Sequence, residues 1–405
     1  MNVELVLFPS FILIVLATTS AINLFSNSKK VRKVTSFAIL GEILIALAIA
    51  TYFLYPRNYD KVYLKEARQS QYKTEPGLAR VANDNNLFIG SGVNNEMIKA
   101  HPKLIAREFN SITPLDALHW GSLLENGKMG NYSFSSADSV ISFGMENNLR
   151  IRGHVLIWGR YPGVGFPKEL KKILNTSENK KEKTIQFMDH HITTVLSHYK
   201  EKIKTWDVVN EPLKVLKPEF DGNLFYENLG KNYIFHAFHK AHETDSTLQL
   251  FLNEQFMNYH DERADFFLDL IAEMVEKKTP IHGIGIQSHV LFNIPEIEKL
   301  SEFIQKIEAL GLKVEITELD TRLKLFEDFP NPYQSQGDFF GEIAGLTDIH
   351  KNLTGITCWG LSDKYSWINN VYPFTFIKPN EPLIFDSEMA PKPAYFELKD
   401  VIKSN

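Results

Sequence analysis

The feature that most narrows the fold of this chain is a rhythm. Eight short apolar runs, rich in β-branched residues, recur from Leu87 onward, and segments of helical periodicity lie between them. The runs are Leu87–Val93, Ser111–Pro114, Arg150–Trp158, Ile203–Asn210, Leu248–Asn253, Gly283–His289, Lys313–Glu318 and Gly355–Trp359. Among the connecting segments, Asp261–Lys277 and Ile294–Gly311 carry apolar residues at i, i+3, i+4 spacing, and Gly311 stands where a glycine ends a helix. Eight β-then-α units predict an α/β protein with a (β/α)8 TIM barrel over residues 78–405.

The ends of these runs are polar. Asp116, His119 and Trp120 follow the second; His154 and Trp158 belong to the end of the third; Asn210 and Glu211 close the fourth. Asn253 and Glu254 close the fifth, Gln287 and His289 the sixth, Glu318 and Asp320 the seventh, and Trp359 the eighth. In a barrel, the C-terminal ends of all strands meet at one mouth, the face that carries chemistry. A single polar strand end is uninformative, since a turn after a strand is solvated anyway. Eight of them are hard to explain by structure alone. For Trp120 core packing is the expected role.

Ahead of the barrel the chain differs in character. Leu5–Phe25 has no charged residue and is long enough to cross a bilayer. Lys29, Lys30, Arg32 and Lys33 follow, and Val34–Tyr55 is a second apolar run interrupted by Glu42. Two predicted transmembrane helices around a short basic loop read as a hairpin over residues 1–56. The positive-inside rule then places both ends of the chain, and the large domain, outside the cytoplasm at the cell membrane. A rival reading makes the basic loop the start of an internal signal sequence cleaved near Ala48-Ile49-Ala50. Residues 57–77 are charge-rich and weakly periodic, and read as a linker or stalk. Cys358 is the only cysteine, so no disulfide within one chain supports the outward-facing fold. A formal net charge of -5 argues against nucleic acid as a partner.

Carboxylates and histidines at a barrel mouth suit two reaction classes. Metal-dependent hydrolysis needs clustered ligands, but no His-x-His occurs. His236, His239 and His242, and the His190-His191 pair, read as helix surface. The second class is acid/base chemistry with two carboxylates and no cofactor, as in glycoside hydrolysis. One carboxyl must carry a proton for the leaving oxygen and the other must be ionised. Tryptophans that stack on sugar rings and amides that bind hydroxyls belong to the same picture; Trp158, Trp359, Trp367, Asn210 and Gln287 supply them.

Several motifs in order resemble those of glycoside hydrolase family 10, the endo-1,4-β-xylanase family. They are Phe109 to Pro114, Gly153-His154 with Leu156 and Trp158, Trp206 to Pro212, Gln287-Ser288-His289, Ile316 to Asp320, Thr357 to Asp363, Pro382 to Asp386, and Lys392 to Tyr395. The resemblance implies a retaining glycosidase acting on β-1,4-linked xylan-type polysaccharide. It makes Glu211 the acid/base and Glu318 the nucleophile. Asn210 would bind the sugar 2-hydroxyl, and His289 with Asp320 would hold Glu318 ionised and aimed. His154, Trp158, Gln287 and Trp359 would line the sugar site at the cleaved bond, with Trp367 covering the next.

The resemblance breaks down around the second strand. After Thr113-Pro114 the family usually has Glu-Asn and, three residues on, Lys; this chain has Leu115, Asp116 and His119. After Trp158 the family's His-x-Gln is replaced by Gly159-Arg160-Tyr161 and a Pro/Gly-rich loop. Asp116 and His119 stay candidates for substrate binding. Losing one hydrogen bond to a sugar hydroxyl costs about 1–3 kcal/mol, and several such losses would move preference to another extracellular glycan. A third reading, a glycan-binding protein without activity, leaves the paired carboxylates unexplained.

Overall fold

In the computed structural model, residues 66–125, 130–160, 171–173, 176–256, 259–371 and 380–403 are described. Nine parallel strands follow in chain order: β1 (Phe88–Val93), β2 (Ser111–Pro114), β3 (Arg150–Trp158), β4 (Thr205–Asn210), β5 (Gln249–Glu254), β6 (Gly283–Ile286), β7 (His289–Val290), β8 (Lys313–Thr321) and β9 (Leu353–Cys358). β1 pairs with both β2 and β9, and β6 pairs with β8, so eight strands close into a barrel. The (β/α)8 barrel is therefore present; six of the expected strands are found within two residues of their bounds, the seventh runs three residues further, to Thr321, and the sixth is broken.

The one rearranged strand is the sixth. The run Gly283–His289 was expected to be continuous, but the ladder stops at Ile286 and resumes as β7. Ser288 adopts φ 60°, a left-handed conformation that no strand continues through. The break lets β7 pair only with the end of β8, His289 opposite Asp320.

Helices surround the barrel as the periodicity predicts. Glu262–Glu276 starts at Asp261, whose side chain accepts from the Ala264 N–H. Ile297–Ala309 ends just before Gly311, at φ 78°. Their apolar faces join strand residues such as Ile284, Ile286, Val314 and Ile316, all fully buried, in one continuous core. The expected histidine surfaces hold only in part: His190 is exposed, but His191 is fully buried and stacked 3.5 Å from the Trp120 ring. Trp120 itself is fully buried.

Inside the barrel the filling is charged. Arg152 is buried and bonded to both oxygens of Asp207 and, at 3.0 Å, to Glu315. Arg150 reaches the same Glu315 at 2.6 and 3.0 Å. Burial works against the Asp207 charge, but Arg152 and His154 outweigh it and hold its carboxyl below the usual carboxylate range.

At the N-terminal side, Glu66–Thr74, expected within the stalk, is a helix that docks on the barrel unit. The Tyr72 ring meets the Tyr395 ring edge-on at 5.3 Å, and Lys399 donates to Glu75 at 3.1 Å. The two expected membrane spans, Leu5–Phe25 and Val34–Tyr55, lie outside the described residues. Among the described residues no helix is long and apolar enough to cross a membrane. The barrel unit comprises Lys61–Ser366 and Glu381–Asn405; Trp367–Asn380 belongs to a separate unit.

Gly153 on β3 shows how tightly the barrel wall is packed. A Cβ there would lie 2.3 Å from the Trp206 indole, and Trp206 is itself buried. Gly153→Ala is expected to lower unfolding stability by about 1–3 kcal/mol, measured by denaturant titration. An unchanged midpoint would mean that the indole yields freely.

Candidate active site

The site starts from a row of register. Trp158 pairs with Asn210, Asn210 with Asn253, and Asn253 with Gly285 across β3 to β6. Because neighbouring strands hold these residues level, Asn210 and Asn253 side chains meet: Asn253 Nδ2 donates to Asn210 Oδ1 at 2.9 Å. Gly285 makes the room, since a Cβ there would stand 2.1 Å from Asn253 Oδ1. Thr317 Oγ1 donates to that same Oδ1 at 2.7 Å and so fixes which way the amide points.

Two carboxylates hang on this arrangement. Glu318 Oε1 accepts from Asn253 Nδ2 at 2.7 Å. Gln287 Nε2 donates at 3.1 Å both to Asn210 Oδ1 and to Glu211 Oε1. Glu318 and Glu211 are thus joined by a bridge of three amides, with Asn210 Oδ1 at its centre accepting from both sides. No described residue accepts from Asn210 Nδ2, which leaves its two donors for a ligand. All five side chains are buried or nearly so.

The two carboxylates differ in their other partners. Glu318 Oε2 meets His289 Nε2 at 3.0 Å, and His289 Nδ1 meets Asp320 at 2.8 Å. Burial alone would disfavour a charged His289, but Asp320 and Glu318 outweigh it and push its pKa up to about 10. At neutral pH both ring nitrogens therefore carry protons and donate. Glu211 Oε2 instead accepts from Trp158 Nε1 at 3.2 Å and from Arg160 Nη1 at 3.0 Å. Glu211 sits at φ 50°, a left-handed backbone that costs a non-glycine residue about 1–3 kcal/mol. Its own N–H donates to Asn253 O, and the next turn is braced by Glu254, which accepts from the Leu213 N–H. Burial, opposed by Arg263 and assisted by Glu211, pushes the Glu254 carboxyl above its ordinary range.

Aromatic rings wall the mouth. His119 lies 5.0 Å from the Trp158 ring and 5.4 Å from His154; Trp359 lies 5.3 Å from His154 and 6.2 Å from His289. His154 donates or accepts at Asp207 over 2.9 Å, which ties the wall to the charged barrel interior. His119 is buried, and among the described residues neither ring nitrogen has a hydrogen-bond partner. Burial, with the charge of His154, lowers its pKa to about 3.

Of the residues expected to act together, Glu211, Glu318, Asn210, Gln287, His289, Asp320 and Trp158 form one bonded group. His154, Trp359 and His119 stand beside it through ring contacts. Asp116 is exposed and comes within 3.8 Å of His119. Trp367 belongs to the other unit, and the barrel mouth is described without it. Asn253 and Arg160 were not anticipated as partners of the carboxylates. The repetition of Asn-Glu at the ends of the fourth and fifth strands was the available signal for Asn253. For Arg160 there was only its place after Trp158. Among the described residues no cluster of His, Cys, Asp or Glu is arranged to hold a metal ion.

Residues 77–401 match the family model Glycosyl hydrolase family 10. The chain belongs to glycosyl hydrolase family 10. It is 30% identical over 375 residues to a beta-1,4-xylanase of Dictyoglomus thermophilum, covering 89% of this chain and 98% of the relative. Native xylanase 10B from Thermotoga maritima superposes with a TM-score of 0.73 at 28% identity, covering 81% of this chain and 98% of that one. Xylanase 10B from Thermotoga petrophila, solved with xylobiose, gives a TM-score of 0.74 at 27% identity over 82% and 98% of the two chains.

The histidines set how stability depends on pH. His119 and His191, both lowered to about 3, resist a proton that the unfolded chain accepts near 6.5. Stability is therefore lost as pH falls from 6.5 toward 3, at up to about 1.4 kcal/mol per pH unit for each. His289, raised to about 10, contributes stability that is complete below 6.5 and is lost as pH rises toward 10. His119→Gln is expected to flatten the acid limb of a melting-temperature profile and leave the alkaline limb intact. Parallel acid limbs in parent and variant would refute that burial of a neutral His119.

Proposed function

We propose that this glycosidase cleaves β-1,4 linkages in xylan with retention, using Glu318 as nucleophile and Glu211 as acid/base. The observation that carries this reading is the three-amide bridge, which fixes two carboxylates against one small volume while giving them unlike partners. Retaining glycosidases need their carboxyls about 5–5.5 Å apart. In the first step a Glu318 oxygen bonds to the anomeric carbon, the glycosidic C–O bond breaks, and the Glu211 proton passes to the leaving oxygen. In the second, Glu211 takes a proton from water, whose oxygen displaces Glu318 and regenerates its carboxylate. The His289 imidazolium and Asn253 each donate to a Glu318 oxygen, which keeps the nucleophile aimed. The free donors of Asn210 lie between the carboxylates, where the 2-hydroxyl of the reacting sugar would sit.

Xylan as the substrate rests on the xylanase relatives. A different β-glycan is the second reading, and His119 favours it: an uncharged ring with unpartnered nitrogens replaces the lysine usual in the family, beside Leu115, which bonds to no hydroxyl. Asp116, His154, Trp158, Gln287 and Trp359 complete the proposed substrate contacts. We further propose that residues 1–56 anchor the enzyme by two spans, residues 57–77 connect it, and residues 78–405 act outside the cytoplasm. Support for this is the pair of apolar runs around Lys29-Lys30 and the rule for basic loops. Protease added to intact cells should then digest the barrel; full protection in sealed cells, with digestion only after lysis, would place it inside.

The mechanism separates the two carboxylates kinetically. Glu318→Ala is expected to lower turnover of both xylan and an activated aryl β-xyloside by at least about 10⁴-fold. Glu211→Ala is expected to lower xylan turnover by about 10²–10⁴-fold but to spare the first, bond-breaking step on the aryl substrate, whose leaving group needs no proton. Equal losses on both substrates at that step would remove Glu211 from the acid role. A panel of polymeric β-glycans, with xylan turned over fastest, tests the substrate.

A further inference from the structure

At the opposite end of the barrel the N-terminal ends of the strands enclose a second cavity of about 420 Å³. It is separated from the carboxylates by the length of β3, roughly 25 Å at strand rise. Phe88, Leu149, Ile151 and Phe251 give it an apolar body. Arg150, Lys202, Lys204 and Lys313 surround it against the one carboxylate of Glu315. Glu315 is already bridged by Arg150 and Arg152, so it neutralises none of the lysines. Lys204 pairs with Glu201 at 2.9 Å, whereas among the described residues neither Lys202 nor Lys313 meets a carboxylate, Lys313 Nζ donating to the neutral amide oxygen of Gln249 at 3.0 Å. Arg150 is held rigidly: Glu315 takes two of its bonds, Thr205 a third at 3.2 Å, and its guanidinium lies 4.2 Å over the Phe88 ring.

We propose that this cavity is a binding site for a small amphipathic anion, an aryl carboxylate, separate from the carbohydrate site. The volume falls in the range of small-molecule sites, which are mainly apolar with a few placed polar groups. A planar aromatic body fits walls made of phenylalanine rings and a fixed guanidinium, which stacks on aromatic faces. The carboxylate goes to Lys202 and Lys313, the cations that no protein carboxylate satisfies. A sugar is disfavoured, because the amides and carboxylates that fix hydroxyls at the other mouth have no counterpart here beyond Gln249, Thr205 and Thr354. The placement does not depend on which glycan the enzyme cleaves.

The test compares 2-naphthoate with 2-naphthamide, equal in shape and different in charge, by titration calorimetry on the full chain against a detergent blank. We expect one naphthoate site, with the amide bound about tenfold or more weaker. The double variant Lys202→Glu, Lys313→Glu should lose about tenfold or more in naphthoate affinity at an unchanged melting temperature. Phe88→Ala, at a partly exposed position, should weaken both ligands. Equal affinity for acid and amide, or parental naphthoate affinity in the double variant, would sink the proposal. So would displacement of naphthoate by equimolar inorganic phosphate, which needs charge but no apolar body.

Discussion

The site depends on one acceptor, Asn210 Oδ1. It takes a hydrogen bond from Asn253 on one side and from Gln287 on the other, and each of those amides also holds a carboxylate. An amide oxygen has two lone pairs, so this one is saturated, and the direction of every group in the bridge follows. Thr317 closes the remaining freedom by occupying Asn253 Oδ1. The bridge exists only because β4, β5 and β6 are in a register that levels Asn210, Asn253 and Gly285, and because Gly285 has no side chain. A slip of one residue would turn each side chain to the other face of the wall. The register of β4 to β6 and the placing of both carboxylates are therefore coupled.

Below the bridge the interior is held by charge rather than by packing alone. Arg150, Glu315, Arg152, Asp207 and His154 form a continuous chain of buried contacts along the barrel axis. Removing one partner from such a pair is costly, about 3–5 kcal/mol, because the other charge is left buried. An apolar filling would be simpler to stabilise. What the charged chain adds is direction: His154 is held against Asp207 at the mouth, so its ring faces Trp359 and His119 rather than turning freely. The same chain fixes Arg150 at the far end, where it forms a wall of the second cavity.

Most of the barrel and both carboxylates were legible in the sequence, since strand and helix periods and a motif order are local signals. What escaped depends on contacts between distant residues. The break at Ser288 lies within an apolar run and is visible only as a backbone angle. His191 sits on a helix with exposed neighbours and is buried because Trp120, far away in sequence, stacks on it. Asn253 looked like any polar strand end until register put it beside Asn210 and Glu318. Arg160 reads as a surface cation in a loop, yet its guanidinium reaches Glu211 and the carbonyl of Leu213. Asp116 shows the reverse case, a carboxylate at a strand end that the fold leaves in solvent.

These differences divide the mouth into two parts that meet at Glu211, which accepts from Trp158 and Arg160 as well as from Gln287. The carboxylates and their amides rest on β4, β5, β6 and β8. The aromatic rings on the other side rest on β2, β3 and the loops after them. His119 shares no hydrogen bond with the bridge and touches it only through the Trp158 ring, 5.0 Å away. A neutral imidazole at 4% exposure with two unpartnered nitrogens is unfavourable in the empty protein. Hydroxyl groups of a bound sugar would remove that cost, which a lysine in its place would not incur to the same degree because it can reach water. His119 and Asn210 thus stand apart in kind: one is a buried ring without hydrogen bonds, the other the acceptor on which both carboxylate-holding amides converge.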